Sequence, residues 1–382
     1  MYDSLKTCVI VNGELSDAFF CHLGVRQGEC LSPFLFAIYI NDIEKSIDTP
    51  DSGVTILHVK LLLLLYADDV VIFSHSSQGL QNSINRLYDY CNKWKLKINT
   101  SKSFIVVFSK SQRYTLNSYK YGENHISVAT HVKYLGLIFS SNGSPHQTQL
   151  KISQQANKAV FCLHKKLNNF KQLSTSVVID LFDKYIVPIL NYGCESWGFH
   201  EAPDVEKVQL RFYKRILGVK SSTQNDFVYG TLGRVPLIIL RHYKIIKYWT
   251  NIVLGKKSFY VNLVYSSSLQ YIESNDKNWA YNVRKLLCSN GFGDMWRNQS
   301  VFDQDCFLRA FKERLFDIFK QQWSFRLSES SRASFYRVIV DTHSFLKMLD
   351  IVNVPKHRIA LTRLLCSSHR LYIETDRWTS KM

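Results

Sequence analysis

Residues 61–73 (Leu-Leu-Leu-Leu-Leu-Tyr-Ala-Asp-Asp-Val-Val-Ile-Phe) form the greasiest run of the 382-residue chain, and the adjacent Asp68 and Asp69 interrupt it. A membrane span needs about eighteen or more uncharged apolar residues in succession, so this run is excluded as one, and no other stretch approaches that length. An ionised carboxylate beside a core is costly unless it is paired or bound to a cation. Two buried strands joined by a tight turn resolve the conflict, because the turn pushes both carboxylates out of the sheet into a cleft. Hard Mg²⁺ prefers carboxylate oxygens and keeps coordination positions open for phosphate. Two such ions can clamp the attacking and leaving oxygens of a phosphoryl transfer. An ordinary hairpin, with Asp chosen for its turn chemistry, reads the same from Tyr66-Ala67-Asp68-Asp69 alone.

The surrounding chain divides at Gly143-Ser144-Pro145. Residues 1–144 carry 13 Lys/Arg and 12 Asp/Glu, whereas residues 145–382 carry 35 and 19, so +16 of the net +17 falls in the second part. Such an excess attracts a polyanion through counterion release, with nucleic acid the commonest partner; a solvated Lys-rich helical surface is the alternative. The first part reads as mixed α and β. Asn12-Gly13-Glu14 between apolar segments signals a hairpin. Ser32-Pro33 opens an apolar helix at residues 34–43. Leu80, Ile84, Leu87, Cys91 and Trp94 make one helical stripe, and residues 104–108 and 133–139 read as strands. In the second part, Ile152, Ala156, Ala159, Leu163 and Leu167 fall at helical spacing. Residues 177–192, 205–217 and 237–254 continue that register, and Ser266-Ser267-Ser268 reads as linker. The nine cysteines include no Cys-x-x-Cys pair. This pattern predicts reduced thiols in an intracellular protein, cytoplasmic and/or nuclear, and argues against a zinc ribbon or a disulfide framework. No secretory signal is visible.

Four blocks in order now resemble the reverse transcriptases of non-LTR (LINE-type) retrotransposons. Tyr66-Ala67-Asp68-Asp69 is similar to the family's catalytic hairpin. Arg26-Gln27-Gly28-Glu29-Cys30-Leu31-Ser32-Pro33, leading into Tyr39-Ile40-Asn41-Asp42, resembles the block that positions template and incoming nucleotide. Trp94-Lys95-Leu96-Lys97-Ile98-Asn99 with Lys102 resembles the block supplying a lysine near the nucleotide's phosphates. Tyr134-Leu135-Gly136 resembles the primer-grip turn. Each block also has a plain physical reading. Gly28 permits close backbone approach, and Arg26 and Gln27 can donate to phosphate or base edges, although a simple turn before a helix would use the same residues. Lys102 could stabilise or protonate departing pyrophosphate, or be a solvated charge. Gly136 marks a bend or close approach, or a β-bulge. Less specifically, Tyr185 to Gly198, Lys214 to Val219 and Ser368 to Trp378 resemble the region downstream of the polymerase in these elements. Tyr243, Lys247, Tyr248 and Trp249 suit stacking with phosphate contact, though aromatics at helical spacing also serve as core.

The resemblance implies an α+β fold: a partial polymerase palm, an antiparallel sheet with helices on one face, over residues 1–143. A helical thumb follows over 145–230, then a basic helical extension over 231–382. It implies RNA-templated DNA synthesis by two-metal phosphoryl transfer with Mg²⁺ or Mn²⁺ at Asp68 and Asp69. The implied partners are an RNA template, a DNA primer or RNA/DNA duplex, and a dNTP, with no membrane. The family's first catalytic Asp lies on a strand well upstream of the template-positioning block. Asp3, Glu14 and Asp17 lack the surrounding pattern, so the two-ion site is expected to be incomplete and the isolated chain inactive. The chain reads as an interior piece of a longer frame, with no Cys/His cluster before Met382 and a possible missing upstream segment. A non-catalytic nucleic-acid-binding protein and an enzyme completed in trans are the rival readings. A metal-dependent nuclease would need His or Glu partners that the sequence does not supply.

Overall fold

The computed structural model describes residues 5–21, 24–26, 28–109, 118–167, 173–272 and 277–369. The fold is mixed α+β, in two compact units, residues 1–130 and 131–382. No helix among the described residues is long and apolar enough to cross a membrane.

The first unit is built of ribbons around one long helix. Its elements are β1 (Leu5–Thr7), β2 (Ile10–Val11), β3 (Glu14–Leu15), β4 (Phe19–Cys21), α1 (Ser32–Tyr39), α2 (Ile43–Ile47), β5 (Val54–Ile56), β6 (Val59–Leu61), β7 (Leu63–Tyr66), β8 (Asp69–Ile72), α3 (Ser77–Lys93), β9 (Phe104–Ile105), β10 (Tyr119–Tyr121) and β11 (Asn124–Val128). The pair β1–β4 encloses the hairpin β2–β3, which turns at Asn12-Gly13 as that dipeptide predicts. The pairs β5–β6 and β7–β8 are separate antiparallel ribbons, and β11 joins β10 antiparallel and β9 parallel. Where an antiparallel sheet with helices on one face was expected, the described residues of this mixed α+β unit form small sheets of two or three strands. The strands are two to five residues long, and most satisfy their backbone groups against a near sequence neighbour. The stripe on α3 does face a core: Ile84, Leu87 and Cys91 are buried with Ile43, Ile47, Ile105, Tyr119 and Tyr121. Ser76 caps this helix by accepting from Gly79 N–H at 3.0 Å. At the other end Lys95, at φ +53°, takes the left-handed position of a Schellman turn, and Leu96 N–H donates to Cys91 O at 2.8 Å.

The second unit opens with the hairpin β12 (His131–Tyr134) and β13 (Leu137–Ser140), so residues 133–139, expected as one strand, are a hairpin. The helices follow: α4 (His146–Leu167), α5 (Thr175–Tyr185), α6 (Val187–Leu190), α7 (Cys194–Trp197), α8 (Pro203–Leu217), α9 (Asn225–Leu232), α10 (Leu237–Val253), α11 (Phe259–Gln270), α12 (Trp279–Ser289), α13 (Gly293–Asn298), α14 (Gln304–Glu329), α15 (Ser334–Ile339), α16 (Met348–Ile351) and α17 (Pro355–Leu365). The helical register at 177–192 breaks after Tyr185, because Pro188 has no N–H to donate back and instead sits in the first turn of α6. Ser266-Ser267-Ser268 lies inside α11 and is not a linker; Leu263 and Tyr265 of that helix are buried and carry the serines along. Trp249, offered above as a stacking residue, is fully buried and donates from Nε1 to the Tyr265 hydroxyl at 2.8 Å. The basic tail from residue 370 lies outside the described residues.

One carboxylate ties α8 to α10. Glu206 accepts from Leu237 N–H at 3.0 Å, from Ile238 N–H at 2.9 Å and from Arg241 Nη2 at 2.9 Å, so it caps α10 and neutralises a buried cation together. The Arg241 side chain is 0% exposed, its guanidinium carbon lies 5.6 Å from the Trp197 ring centroid, and its Nε and Nη1 have no hydrogen-bond partner among the described residues. Removing Glu206 leaves that charge buried and alone, at a cost of about 3–5 kcal/mol. Glu206→Ala is therefore expected to lower the unfolding free energy of the second unit, read from urea denaturation, by that amount, and a loss under about 1 kcal/mol would contradict this account.

Candidate functional site

Strands β7 and β8 pair from Leu63↔Ile72 to Tyr66↔Asp69, which leaves Ala67 and Asp68 as a two-residue connection. Asp68 and Asp69 are both exposed at the tip, as the cost of burying them requires. The flanks differ from expectation. Leu62 is buried and Leu63, Val71, Ile72 and Phe73 are half-buried, but Leu64, Leu65, Tyr66 and Val70 are exposed. A free two-stranded ribbon shields only part of its apolar surface, whereas the expectation assumed a larger sheet. Ala67 sits at φ +52°, a left-handed backbone costing an L side chain about 1–2 kcal/mol; such outliers gather at functional sites.

The block from Arg26 to Pro33 is held by its helix. Ser32 Oγ donates to Arg26 O at 2.6 Å, and Pro33 occupies the first turn of α1. The Arg26 side chain is exposed, and Gln27 lies outside the described residues. Among the described residues nothing lies within 4 Å of where a Gly28 Cβ would stand, and its φ of +86° is a backbone that favours glycine. From the end of α1, Tyr39 donates from its hydroxyl to Trp94 O and sets its ring edge-on to the indole, with centroids 5.3 Å apart. Tyr90 donates to Asp42 Oδ1 at 2.7 Å, and burial together with that carboxylate pushes the phenol pKa up. The first two blocks outside the hairpin, Arg26 to Asp42 and Trp94 to Asn99, are thus fastened to each other. Lys102 closes a short 3₁₀ turn (Thr100–Lys102) with its side chain exposed, and it forms no ion pair with Asp68 or Asp69.

Tyr134, Leu135 and Gly136 form the β12–β13 turn, in the second unit. Leu135 and Gly136 have φ of +44° and +85°, so the turn is a left-handed two-residue connection and not a bulge. Sequence reasoning missed its supports, Tyr192 and Lys151, which hold the two turn carbonyls. Tyr192 lies within the stretch Tyr185 to Gly198, and nothing in the local sequence sets Lys151 apart from the other lysines of α4. Burial and the neighbouring Lys133 hold the Lys151 pKa below the ordinary lysine value.

Two adjacent exposed carboxylates fit one hard cation whose other positions go to water and phosphate. Among the described residues no three His, Cys, Asp or Glu side chains stand together as a metal group.

Residues 2–139 match the reverse transcriptase (RNA-dependent DNA polymerase) family. The chain is 27% identical over 194 residues to a probable RNA-directed DNA polymerase from transposon X-element of Drosophila melanogaster, covering 49% of this chain and 20% of that protein. It is 23% identical over 320 residues to a retrovirus-related Pol polyprotein from type-1 retrotransposable element R2 of Popillia japonica, covering 75% and 50%. To the RNA-directed DNA polymerase from mobile element jockey of Drosophila funebris it is 22% identical over 231 residues, covering 57% and 24%. The chain thus spans between a fifth and a half of the length of these relatives. Residues 2–139 are thus similar to the reverse transcriptase family, and the names of these relatives are those of transposon, mobile-element and retrotransposable-element polymerases or Pol polyproteins.

The two glycines make different demands. A Cβ on Gly136 would lie 2.9 Å from Tyr192 Cε1, whereas one on Gly28 would meet nothing. Gly136→Ala is expected to cost at least about 2 kcal/mol, strain plus displaced ring, and Gly28→Ala about 1 kcal/mol from the backbone alone. Denaturant midpoints of the two variants compare them directly; equal losses would contradict the Tyr192 contact.

Proposed function

We propose that this chain is the reverse transcriptase portion of a non-LTR element, with a palm over residues 1–143, a thumb over 145–230 and a basic extension over 231–382. The observation that carries the reading is the exposed Asp68-Asp69 pair at the tip of a strained ribbon, within a segment of the reverse transcriptase family. When bound there, Mg²⁺ or Mn²⁺ supplies charge neutralisation at the attacking and leaving oxygens of DNA synthesis on an RNA template. Asp68 and Asp69 hold the ion, and Tyr66 and Ala67 set the tip against the nucleotide. Arg26 and Gln27 donate to template and dNTP beside Gly28, Lys102 meets the departing pyrophosphate, and Tyr134-Leu135-Gly136 hold the primer.

The same reading leaves this chain unable to polymerise by itself, because a two-ion site needs a further carboxylate and none stands with Asp68 and Asp69 among the described residues. With primed RNA, dNTPs and Mg²⁺ or Mn²⁺, no template-dependent extension is expected; synthesis that vanishes in Asp68→Asn would overturn the inactivity. Electron paramagnetic resonance of Mn²⁺ added with primed template and dNTP is expected to show a bound ion that Asp68→Asn and Asp69→Asn release. Binding indifferent to both substitutions would remove the carboxylates from the reading.

A second reading, nucleic-acid binding without catalysis, is favoured by α4. Lys158, Phe161 and Lys165 recur at helical spacing on its exposed side, and Phe161 is 71% exposed between the two cations. Ammonium groups for phosphates and a bare ring for a base make a sequence-tolerant strip. Affinity for a primed template should fall steeply with salt, and the double variant Lys158→Gln with Lys165→Gln should flatten the log–log slope by about two. An unchanged slope would exclude α4 from the interface.

A further inference from the structure

The turn of β12–β13 is strained and is held from outside the hairpin. With φ of +44° at Leu135 and +85° at Gly136, the connection suits Asn-Gly, and a leucine there costs about 1–2 kcal/mol. Two side chains offset that cost. The Tyr192 hydroxyl donates to Leu135 O at 2.9 Å, and the Lys151 ammonium donates to Gly136 O at 2.9 Å. Gly136 packs so closely on the Tyr192 ring that no Cβ fits between them. Behind the turn, Thr148 Oγ1 accepts from Ile138 N–H at 2.8 Å and donates to Ile138 O at 2.7 Å, which anchors β13 to α4. Tyr192 is itself steadied, because its own carbonyl accepts from Trp197 Nε1 at 3.0 Å.

The consequence is directional. In a planar trans peptide the N–H points opposite to the C=O. With Leu135 O drawn toward Tyr192, the Gly136 N–H faces away from it. With Gly136 O drawn toward Lys151, the next peptide plane is fixed as well. The apex, where Leu135 remains 38% exposed, is thereby offered in a single orientation.

We propose that Tyr192 and Lys151 are positioning residues that hold the strained Leu135–Gly136 turn in the geometry that registers the end of a primer strand. This rests on the reading of that turn as the primer grip. Loss of either donor frees a peptide plane and lets Leu135 relax toward a right-handed backbone, so the turn no longer presents one face. The basic surface that supplies affinity is untouched.

The test uses the full chain and a primed RNA template with 2-aminopurine as the last primer base. Anisotropy of a distal dye reports affinity, and 2-aminopurine fluorescence reports the placement of the primer end. Tyr192→Phe is expected to keep the dissociation constant within twofold while reducing the fluorescence change on binding at least threefold. Asn tolerates the left-handed region, so adding Leu135→Asn to Tyr192→Phe should recover most of the change, which a generally loosened fold would not do. Lys151→Met carries the same expectation should Tyr192→Phe melt early. Retention of the parent signal in both single variants overturns the positioning role alone. A parent protein that binds the duplex with no change at the primer end overturns the reading of the turn as the grip, and the positioning role falls with it.

Discussion

Two carboxylates in succession resist removal from water more strongly than the eleven other residues of the 61–73 run favour burial, and this balance organises the first unit. It forces the chain to reverse at Ala67-Asp68, puts both charges at the tip and sets the register Tyr66↔Asp69. It also dictates what the tip can hold: hard oxygen donors at the surface select a hard cation and a phosphate. The left-handed Ala67 shows that this arrangement is kept at some conformational expense. The attached blocks are then fastened by aromatic side chains, Tyr39 to the Trp94 carbonyl and Tyr90 to Asp42.

In the second unit the interior is made by side chains that serve two elements together. Glu206 caps α10 and pairs with Arg241. Asp226 accepts from Arg326 through both nitrogens, joining α9 to α14. Phe182 of α5 stacks on Phe212 of α8 with centroids 4.3 Å apart. Aromatic and basic residues that could have met a nucleic acid are in several cases consumed by this packing. Trp249 is in the core, and Tyr248 lies under Lys257. What remains outward on α4 is therefore the more informative surface.

Several turns and one helix start were legible in local sequence because their signals are local. Asn12-Gly13 names its own turn, Ser32-Pro33 marks a helix start, and the aspartates name the hairpin tip. The misreadings have a common cause, which is that burial depends on neighbours distant in sequence. Leu64, Leu65 and Val70 look like core residues, and only the absence of flanking strands among the described residues leaves them exposed. Ser266-Ser267-Ser268 looks like a linker until Leu263 and Tyr265 are seen to be buried on the same helix. The roles of Tyr192 and Lys151 were invisible for the same reason, since each reaches a carbonyl many residues away.

The ribbons of the first unit have a thermodynamic corollary. An isolated two-stranded ribbon is marginal in water, and β7–β8 has no third strand on either side among the described residues. The site that would hold cation and nucleic acid thus sits on one of the least self-sufficient pieces of the molecule. Mass action then makes occupancy a structural ingredient: a ligand at a hundred times its dissociation constant adds about 2.7 kcal/mol to the folded state. For a scaffold so lightly built, substrate saturation and conformational order become two descriptions of a single equilibrium.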